Sequence, residues 1–335
     1  MIKPKICHLI GGQGMGWTGG IKATLNSLES SYLSEKFEFI TATLSTASTV
    51  IPQQSPDVMI VHAASSWRGL FPLWKLRRKG KLIINEHHYC AGFEDFNVPA
   101  VTRFHGMLKL AYGMCDRVIT VSQGQQNWIL KNKLASADKL TLIPSSRIIS
   151  DFLNVPIKSI NQSPDQPFVL GAYGRFSSQK GFDILIDAVK QIPNSRIKLQ
   201  IGGGGPDEAK FKELAGNCPN IEFVGRIDDV PAFLSQCDAV VIPSRWEPWG
   251  NVCLEARAAG KPIIASAVDG LSEQIQNFGL LVPPGNSVAL AKAIQELVNL
   301  PADKLIVIGE QGKTSAINAW ENYLSNWDKL LEEMT

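Results

Sequence analysis

The stretch Pro243-Ser-Arg-Trp-Glu-Pro-Trp-Gly-Asn-Val-Cys-Leu-Glu-Ala-Arg-Ala-Ala-Gly-Lys-Pro262 lies between two apolar runs in a chain of 335 residues. Within it, Asn251 is a favourable helix N-cap, and Gly260 followed by Pro262 is a helix stop. We therefore expect an apolar strand, a loop, one helix and a second strand. That order is the βαβ unit from which parallel sheets are built.

Two carboxylates of this stretch fall where parallel sheets bind ligands. Glu247 lies in the expected strand-to-helix loop and Glu255 lies one turn into the helix, so both are at the carboxyl edge of the sheet. The backbone N–H groups of Gly250, Asn251 and Val252 would point at an anion between them. Two surface carboxylates near a helix start explain the composition at least as well, because negative charge is favourable there.

The same stretch resembles a known family. Glu-Pro-Trp-Gly-Asn-Val-Cys-Leu-Glu-Ala, with Ala-Ala-Gly-Lys-Pro-Ile-Ile-Ala behind it, is similar to the E-x7-E segment of retaining GT-B glycosyltransferases, specifically glycosyltransferase family 4. The resemblance implies that Glu247 contacts hydroxyls of the transferred sugar and that Glu255 binds the ribose hydroxyls of the donor nucleotide. It further implies donor contacts at Trp249, Gly250, Asn251 and Val252.

A second loop of this half offers two cations. Gly174-Arg-Phe-Ser-Ser-Gln-Lys-Gly181 follows an apolar run and precedes a helical pattern. Arg grips phosphate with two parallel hydrogen bonds and Lys acts as a point charge, so Arg175 and Lys180 can face one diphosphate. An Arg and a Lys in a surface loop are common, but G-R-x(4)-K-G also resembles the family pattern that assigns them, with Gly174, to the leaving diphosphate. Ile201-Gly-Gly-Gly-Gly-Pro206 resembles the family's G-x-G-P turn near the donor, which implies donor contacts at Gly203 and Gly204, although a tight turn alone also explains these glycines.

The Gly-rich segment Gly11–Gly20 follows the first apolar run of the chain. Gly14, Gly16 and Gly19 satisfy the G-x-G-x-x-G pattern of a nicotinamide-binding loop. The first of these lies too far beyond the strand, however, and the second predicted strand ends without the acid that would bind ribose. The family resemblance instead implies that Gly19 and Gly20 lie close to the donor phosphate and the acceptor.

Histidines end two predicted strands of the first half. Ile83-Ile-Asn-Glu-His-His88 resembles the family's strand-end histidine, which contacts the transferred sugar, and His88 aligns better than His87. An imidazole there can also orient an acceptor hydroxyl. A structural and a functional role fit His62 equally, whereas His8 is expected in the core.

Short apolar runs alternate with longer amphipathic stretches throughout, which predicts two Rossmann-like, doubly wound α/β domains facing an interdomain cleft, the GT-B architecture that the resemblance implies. Composition shifts to Pro, Ser, Asn and Gln after residue 153, as in a linker. We assign residues 1–153 to an acceptor-binding domain and 166–311 to a nucleotide-sugar-binding domain.

Residues 314–334 have apolar positions at helical spacing, which predicts one long helix, and we place 312–335 on the first domain. Strands are predicted at 5–10, 37–43, 58–62, 81–85, 117–121, 140–143, 168–173, 198–202, 221–224, 239–243, 262–266 and 279–282.

Charge is distributed unevenly along the chain. Residues 1–165 carry 18 Lys and Arg against 11 Asp and Glu, whereas the remainder carries 15 against 20. A basic first half favours an anionic partner such as a phosphorylated acceptor or an acidic bilayer. The cluster Trp74–Lys81 mixes aromatic and basic residues as membrane interfaces do, and a solvated helix end explains it equally well. The chain start resembles no signal peptide and no apolar run spans a bilayer, which predicts a cytoplasmic protein, at the inner face of the membrane if the cluster binds lipid.

Neither a metal nor a cofactor is expected. The six cysteines are widely spaced with no C-x-x-C pair, and no metal-binding D-x-D occurs. The segment Ile306–Thr314 imitates a P-loop, but the first glycine of G-x-x-x-x-G-K-T would fall at position 307, which is Val307.

We therefore expect a metal-independent, retaining transferase that moves a sugar from a nucleotide-sugar donor, a UDP-sugar by family frequency. The acceptor would be a saccharide or lipid-linked saccharide of cell-surface polysaccharide or lipopolysaccharide synthesis, and no nucleic-acid partner is expected. Two alternative functions are consistent with the same predicted site: a sugar-nucleotide epimerase and a non-catalytic nucleotide-sugar-binding subunit.

Overall fold

The computed structural model describes residues 2–11, 18–157, 166–192, 196–275 and 278–335. Contacts divide the chain into two compact units. The first unit contains the residues up to Ile148 together with Trp320–Thr335, and the second contains Ile149–Ala319. Each unit has one six-stranded parallel sheet with helices, which confirms the α/β fold predicted from the alternation of apolar runs.

The first sheet has the strand order β2-β1-β3-β4-β5-β6. Its central strands are largely apolar and buried on both faces, as parallel sheets require; Val58–Val61 is apolar and buried at every position. The strands are β1 (Lys5–Ile10), β2 (Glu38–Thr43), β3 (Val58–Val61), β4 (Lys81–Glu86), β5 (Arg117–Thr120) and β6 (Leu140–Leu142). The chain leaves β1 toward β2 on one side and later returns to β3 on the other, so the sheet's topological switch point lies between β1 and β3.

Helices cover both faces of this sheet with two separate apolar clusters. They are α1 (Thr18–Glu29), α2 (Leu33–Lys36), α3 (Ala47–Gln54), α4 (Leu70–Arg77), α5 (Ala91–Asn97), α6 (Val101–Met114), α7 (Gln123–Lys131) and, from the end of the chain, α16 (Ala319–Met334). The buried side of α16 includes Tyr323, Trp327 and Leu331, which pack with Ile6, Ile60 and other sheet residues. Lys36 anchors the same helix through Asp328 and Glu332, each at 2.8 Å.

The expectation of one helix across residues 314–334 is wrong. The helix α15 (Ala302–Ala316) ends at Ala316, and α16 begins at Ala319. Ala316 is buried in a cluster of the second unit, whereas Tyr323 is buried in a cluster of the first. The helical spacing of apolar residues continues through the break. Spacing alone therefore cannot distinguish one long helix from two successive helices.

The second sheet has the order β9-β8-β7-β10-β11-β12, the Rossmann order in which the first strand has the second on one side and the fourth on the other. Its strands are β7 (Phe168–Arg175), β8 (Ile197–Gly204), β9 (Ile221–Gly225), β10 (Ala239–Ile242), β11 (Ile263–Ser266) and β12 (Gly279–Val282). The switch point lies between β7 and β10. The loops that follow these two neighbouring strands, at 176–181 and 243–250, therefore leave the same place on the sheet edge.

The helices of the second unit are α8 (Ser150–Leu153), α9 (Phe182–Lys190), α10 (Glu208–Ala215), α11 (Val230–Gln236), α12 (Asn251–Ala258), α13 (Asp269–Ile275), α14 (Ser287–Val298) and α15 (Ala302–Ala316). Phe152 of α8, a helix that the sequence places in the first domain, is buried in the second unit together with Tyr173 and Phe233. Asp229 and Asn286 cap α11 and α14 by accepting backbone N–H groups at 2.9 Å, which gives both helices a defined start.

Candidate functional site

Backbone and amide hydrogen bonds tie together the two loops at the switch point of the second sheet. The loop after β7 ends in a short 3-10 turn, Ser178–Lys180. Gln179 in this turn accepts the Arg245 backbone N–H at 2.8 Å and donates its own side-chain amide to the Trp246 carbonyl at 3.2 Å. The loop after β10 is therefore fastened along the turn that presents Lys180.

A bidentate ion pair reinforces this connection. Arg245 Nη1 and Nη2 donate to the two carboxylate oxygens of Asp183, the second residue of α9, at 2.9 and 2.6 Å. Arg245 also donates to the Ser178 carbonyl at 2.7 Å. Burial raises the pKa of Asp183, but the Arg245 hydrogen bonds and charge outweigh it and the net pKa is lowered. This pair could not be predicted from the sequence, because neither residue belongs to a recognised motif.

Lys180 and Glu247, predicted from separate motifs, are in direct contact. Lys180 Nζ donates to Glu247 Oε2, and the two side chains are 20% and 10% exposed. Ser244 Oγ lies 3.5 Å from the same carboxylate oxygen. Backbone contacts hold Glu247 in place as well, since its carbonyl accepts the Gly270 N–H at 3.2 Å. The structure thus brings a cation and a carboxylate together at the carboxyl edge, where α/β sheets bind ligands.

The other two charged candidates lie on neighbouring elements of the same edge. Glu255 is buried in α12 and accepts the hydroxyl of Tyr173, a residue of β7, at 2.8 Å. Arg175 is the last residue of β7 and its side chain is exposed, outside the Lys180–Glu247 pair. One of the two predicted phosphate-binding cations is therefore paired and the other faces solvent.

The turn before α12 has a backbone conformation that favours glycine. Gly250 has φ +92°, and a Cβ atom there would lie 2.8 Å from Leu271 and 2.9 Å from Cγ of Glu247. Gly250 is the N-cap and Asn251 the first helical residue, so the prediction of an Asn251 cap is wrong. The reason is that the left-handed residue must sit at the helix entrance, and glycine adopts that conformation without strain. Val252 follows within the first turn of the helix.

Gln274 of α13 sets the orientation of this turn. Its side-chain amide donates to the carbonyls of Trp249 at 2.6 Å and Gly250 at 3.3 Å. Because each peptide unit is planar and trans, the N–H groups of Gly250 and Asn251 point away from Gln274. These N–H groups lie at the N-terminus of α12 and are available as donors, which is a favourable arrangement for binding an anion. Nothing in the sequence marks Gln274, since its role depends on a contact 24 residues from Gly250.

The glycines predicted beside the donor lie at strand ends of the second sheet and at the start of α1. Gly174 is the penultimate residue of β7, and Gly203 and Gly204 end β8. Gly203 has φ +131°, and a Cβ there would lie 1.9 Å from the Gly174 carbonyl oxygen, so only glycine lets these strand ends approach so closely. Gly19 and Gly20 lie in the first turn of α1, while Gly14 and Gly16 fall outside the described residues.

In the first unit, four histidines cluster at the switch point of the sheet. His8 Nδ1 and His62 Nε2 are 2.9 Å apart, and His62 Nδ1 and His87 Nε2 are 3.0 Å apart. His88 Nε2 donates to the His62 carbonyl at 3.3 Å. His8 is buried as expected, but it is also hydrogen-bonded into this group, which the sequence did not reveal.

Glu86, the last residue of β4, holds the loop that carries His87 and His88. Its carboxylate accepts the backbone N–H of His88 at 2.8 Å, the N–H of Tyr89 at 3.1 Å and the Tyr112 hydroxyl at 2.8 Å. Burial raises the pKa of Glu86 to about 7, against the lowering effect of these hydrogen bonds. The strand-end loop is therefore held by a carboxyl group whose pKa lies near neutral pH.

An aromatic-basic surface, defined by Trp67, Phe71, Trp74, Lys75, Arg78 and Arg103, covers α4 and its surroundings. Its aromatic side chains are 44–61% exposed, and Phe71 and Trp74 stack at 5.8 Å. Cationic groups lie over the three rings: Lys75 over Phe71 at 4.5 Å, Arg78 over Trp74 at 5.0 Å and Arg103 over Trp67 at 5.8 Å. This surface extends the predicted cluster Trp74–Lys81. Across the described ranges, no helix combines the length and apolar character needed to cross a bilayer.

Comparison with known proteins shows the family to which the chain is similar. The family model described as glycosyl transferases group 1 matches residues 156–315. An uncharacterized glycosyltransferase of Methanocaldococcus jannaschii is 36% identical over 316 residues, which cover 83% of this chain and 86% of that protein. The lipopolysaccharide core biosynthesis glycosyltransferase LpsD of Rhizobium meliloti is 40% identical over 146 residues, and the aligned part is 42% of each chain.

The fold recurs in solved structures. The structure of HepE from Anabaena in complex with UDP superposes with a TM-score of 0.76 and 20% identity, covering 98% of this chain and 99% of that one. The predicted resemblance to GT-B glycosyltransferases is confirmed at the level of fold.

The raised pKa of Glu86 makes a testable prediction about stability. The folded pKa of about 7 exceeds the usual 4.5, so between these values the folded chain binds more protons than the unfolded chain. The Glu86 contribution to the free energy of unfolding therefore falls as pH rises through that window, by on the order of 3 kcal/mol. Glu86→Gln keeps the hydrogen-bonding shape without a charge and should lose this dependence.

The measurement is urea denaturation of both proteins at about pH 5 and about pH 8, the two sides of the titration window. Wild type should lose more stability than Glu86→Gln on going to the higher pH. Equal losses in the two proteins would show that the Glu86 carboxyl titrates at its ordinary pKa.

Proposed function

The chain belongs to the glycosyl transferases group 1 family, and from that premise we propose that it is a retaining glycosyltransferase acting on a nucleotide-diphosphate sugar. The donor we propose is a UDP-sugar, supported by the UDP complex of the structural neighbour HepE. The acceptor we propose is a saccharide or lipid-linked saccharide of cell-surface polysaccharide or lipopolysaccharide synthesis, the process named for the relative LpsD.

The observation that carries this proposal is the contact between Lys180 and Glu247. It joins the two loops at the switch point of the second sheet, which is where such sheets bind nucleotides. Around it lie Glu255, for the ribose hydroxyls, and the outward N–H groups of Gly250 and Asn251, for the diphosphate. Glu247 then contacts sugar hydroxyls while Lys180 and Arg175 face phosphate oxygens.

The proposed chemistry needs fixed positive charge on one side of the sugar. As the bond between the anomeric carbon and the diphosphate oxygen breaks, its electron pair stays on the diphosphate, whose charge grows. Lys180 stabilises that charge with little reorganisation, because Gln179 and Arg245 hold its loop in place, and Arg175, exposed at the end of β7, supplies a second positive charge. The acceptor oxygen bonds to the anomeric carbon on the same face, and its proton passes to the leaving diphosphate. For His88, in the strand-end loop after β4, we propose the sugar contact that the family resemblance implies.

An epimerase or a non-catalytic binding subunit would use a similar pocket but give different products. Incubation with donor alone converts the nucleotide sugar in an epimerase, whereas a transferase releases nucleoside diphosphate steadily only when acceptor is added. Acceptor-dependent release is the result that supports the proposal. No release with any acceptor, or conversion of donor alone, would contradict it.

We further propose a cytoplasmic enzyme that works at an anionic membrane surface. The support is the aromatic-basic surface, where ring and cation alternate, and the run from Val58 to Asn85, which contains six Lys and Arg but no Asp or Glu. Aromatic rings favour the interfacial region of a bilayer, and each Lys or Arg near an anionic leaflet contributes about 1 kcal/mol. Such contact would bring the enzyme to a lipid-linked acceptor.

Substitution of the cations should lower turnover. Arg175→Ala or Lys180→Ala should reduce kcat by roughly a hundredfold or more, because loss of one preformed charge-stabilising donor costs about 3 kcal/mol. Lys210→Ala, which removes an exposed cation of α10, is the matched control and should keep the wild-type rate. Rates are measured by release of nucleoside diphosphate. Wild-type turnover in folded Arg175 and Lys180 variants would remove both residues from the mechanism.

Transfer should also proceed without a metal, because Arg175 and Lys180 supply the positive charge that a divalent cation provides in metal-dependent transferases. The assay is the rate of nucleoside diphosphate release after exhaustive treatment with EDTA. We expect the rate to be unchanged. A loss of activity that added Mg²⁺ or Mn²⁺ restores would overturn this part of the proposal.

Membrane contact is tested by sedimentation with phosphatidylcholine vesicles, with and without phosphatidylglycerol. We expect binding only to anionic vesicles, weakening as salt is added. The double variant Phe71→Ser/Trp74→Ser should reduce partitioning about tenfold, since two exposed rings no longer enter the interface. Val307→Ser, which removes a similarly exposed apolar side chain of α15, should have no effect. Equal loss in both variants, or equal binding to neutral vesicles, would contradict the assignment.

A further inference from the structure

Three imidazoles form a continuous hydrogen-bonded chain from the interior of the first sheet to its carboxyl edge. His8 lies within β1 and is fully buried, His62 follows β3 and is 3% exposed, and His87 follows β4 and is partly exposed. The two ring-to-ring distances are 2.9 and 3.0 Å. The His62 backbone is also fixed, because its N–H donates to the Leu9 carbonyl at 2.9 Å. The proposed sugar-transfer reaction assigns no role to His8 or His62.

The number of ring protons allows only two hydrogen-bonding arrangements for His8, His62 and His87, which we call the histidine relay. A hydrogen bond between two imidazole nitrogens needs a proton on one nitrogen and a lone pair on the other. Burial lowers the pKa of His8 and His87 to about 3 and that of His62 well below its usual value, so each ring is neutral and carries one proton. Since His62 bonds through both nitrogens, all three N–H groups point either toward His87 or toward His8.

The buried end of the chain selects between these arrangements. His8 Nε2 is fully buried and, within the described part of the chain, has no hydrogen-bond partner. The ring of Trp327 meets the His8 ring edge-on at 6.0 Å, so an apolar ring surface encloses this end. A proton on His8 Nε2 would therefore bury an unsatisfied donor. A lone pair there costs less, because buried N–H groups without acceptors are the rarer defect in proteins.

We infer that His8 and His62 are positioning residues that hold the proton of His87 on Nδ1, which makes His87 a fixed N–H donor toward a substrate oxygen. In this arrangement His8 Nδ1 donates to His62 Nε2, and His62 Nδ1 donates to His87 Nε2. The relay leaves Nδ1 as the nitrogen of His87 that it does not use, on the partly exposed ring at the carboxyl edge. The identity of the oxygen, a hydroxyl of the sugar or acceptor, rests on the proposed function; the position of the proton does not.

His62 imposes the opposite tautomer on the neighbouring ring. Its carbonyl can only accept, so His88 Nε2, 3.3 Å away, carries the proton of that imidazole. The two adjacent histidines that the sequence barely distinguishes therefore differ chemically, and a single residue, His62, sets both. Glu86 holds the backbone of the same loop, so the position of the rings and the position of their protons are fixed by separate contacts.

The direct test is the tautomer of each ring in the full chain. Protein labelled with 15N-histidine is examined at neutral pH without ligand, by spectra that correlate ring nitrogens with carbon-bound ring protons, and His87 is assigned from a His87→Phe variant. The expected result is a protonated Nδ1 and an unprotonated Nε2 in His87. A proton on Nε2, or on both nitrogens, would overturn the inference whether or not the chain transfers sugars.

Substitution at the far end separates the relay from simple packing. His8→Phe keeps a ring between Phe39 and Trp327 but removes the donor to His62 Nε2. His87 should then populate both tautomers, and kcat/KM for the acceptor should fall about tenfold, the effect of one weakened hydrogen bond. His105→Phe, which removes an imidazole paired with Glu94 outside the relay, is the matched control and should leave the His87 tautomer unchanged. If His8→Phe also leaves it unchanged, the relay does not set that proton.

Discussion

The contact between Lys180 and Glu247 is the interaction on which the candidate site depends. Both side chains are largely buried, and a buried charge is stable only when it is paired. The pair therefore holds the loop after β7 against the loop after β10, and Arg245 with Asp183 holds the same two loops a second time. In the proposed reaction, the donor would meet charged groups that the protein already holds in position, which is the condition for electrostatic stabilisation of a transition state.

Topology explains why these loops meet. β7 and β10 are separated by two strands in sequence but are neighbours in the sheet, and the chain departs from them in opposite directions around the sheet. The elements that follow supply the remaining groups: α12 carries Glu255, and α13 carries Gln274, which turns the carbonyls of the Gly250 turn away from the site. In the first unit the equivalent switch point carries His62, so each sheet has polar side chains at the point where its strand order reverses.

Strand positions and the charged motifs could be predicted from sequence, because apolar runs and loop residues are local signals. β1 and β12 lie where the apolar runs place them, and Lys180 and Glu247, predicted from separate motifs, are in contact. The contacts that hold the site could not be predicted. Arg245 meets Asp183 across 62 residues and His8 meets His62 across 54, and no motif marks either pair. The break between α15 and α16 was missed because the apolar spacing continues through it, and the Asn251 cap was wrong because a left-handed glycine occupies the cap position.

The most direct measurement is amide hydrogen exchange of the full chain with and without saturating UDP, with GDP and ADP as comparisons. If one nucleotide pocket is built from both loops, bound nucleotide should slow exchange together in peptides covering residues 174–181 and 246–255. UDP is expected to give the largest protection. Protection of only one of these segments, or of neither by any of the three nucleotides, would contradict the account.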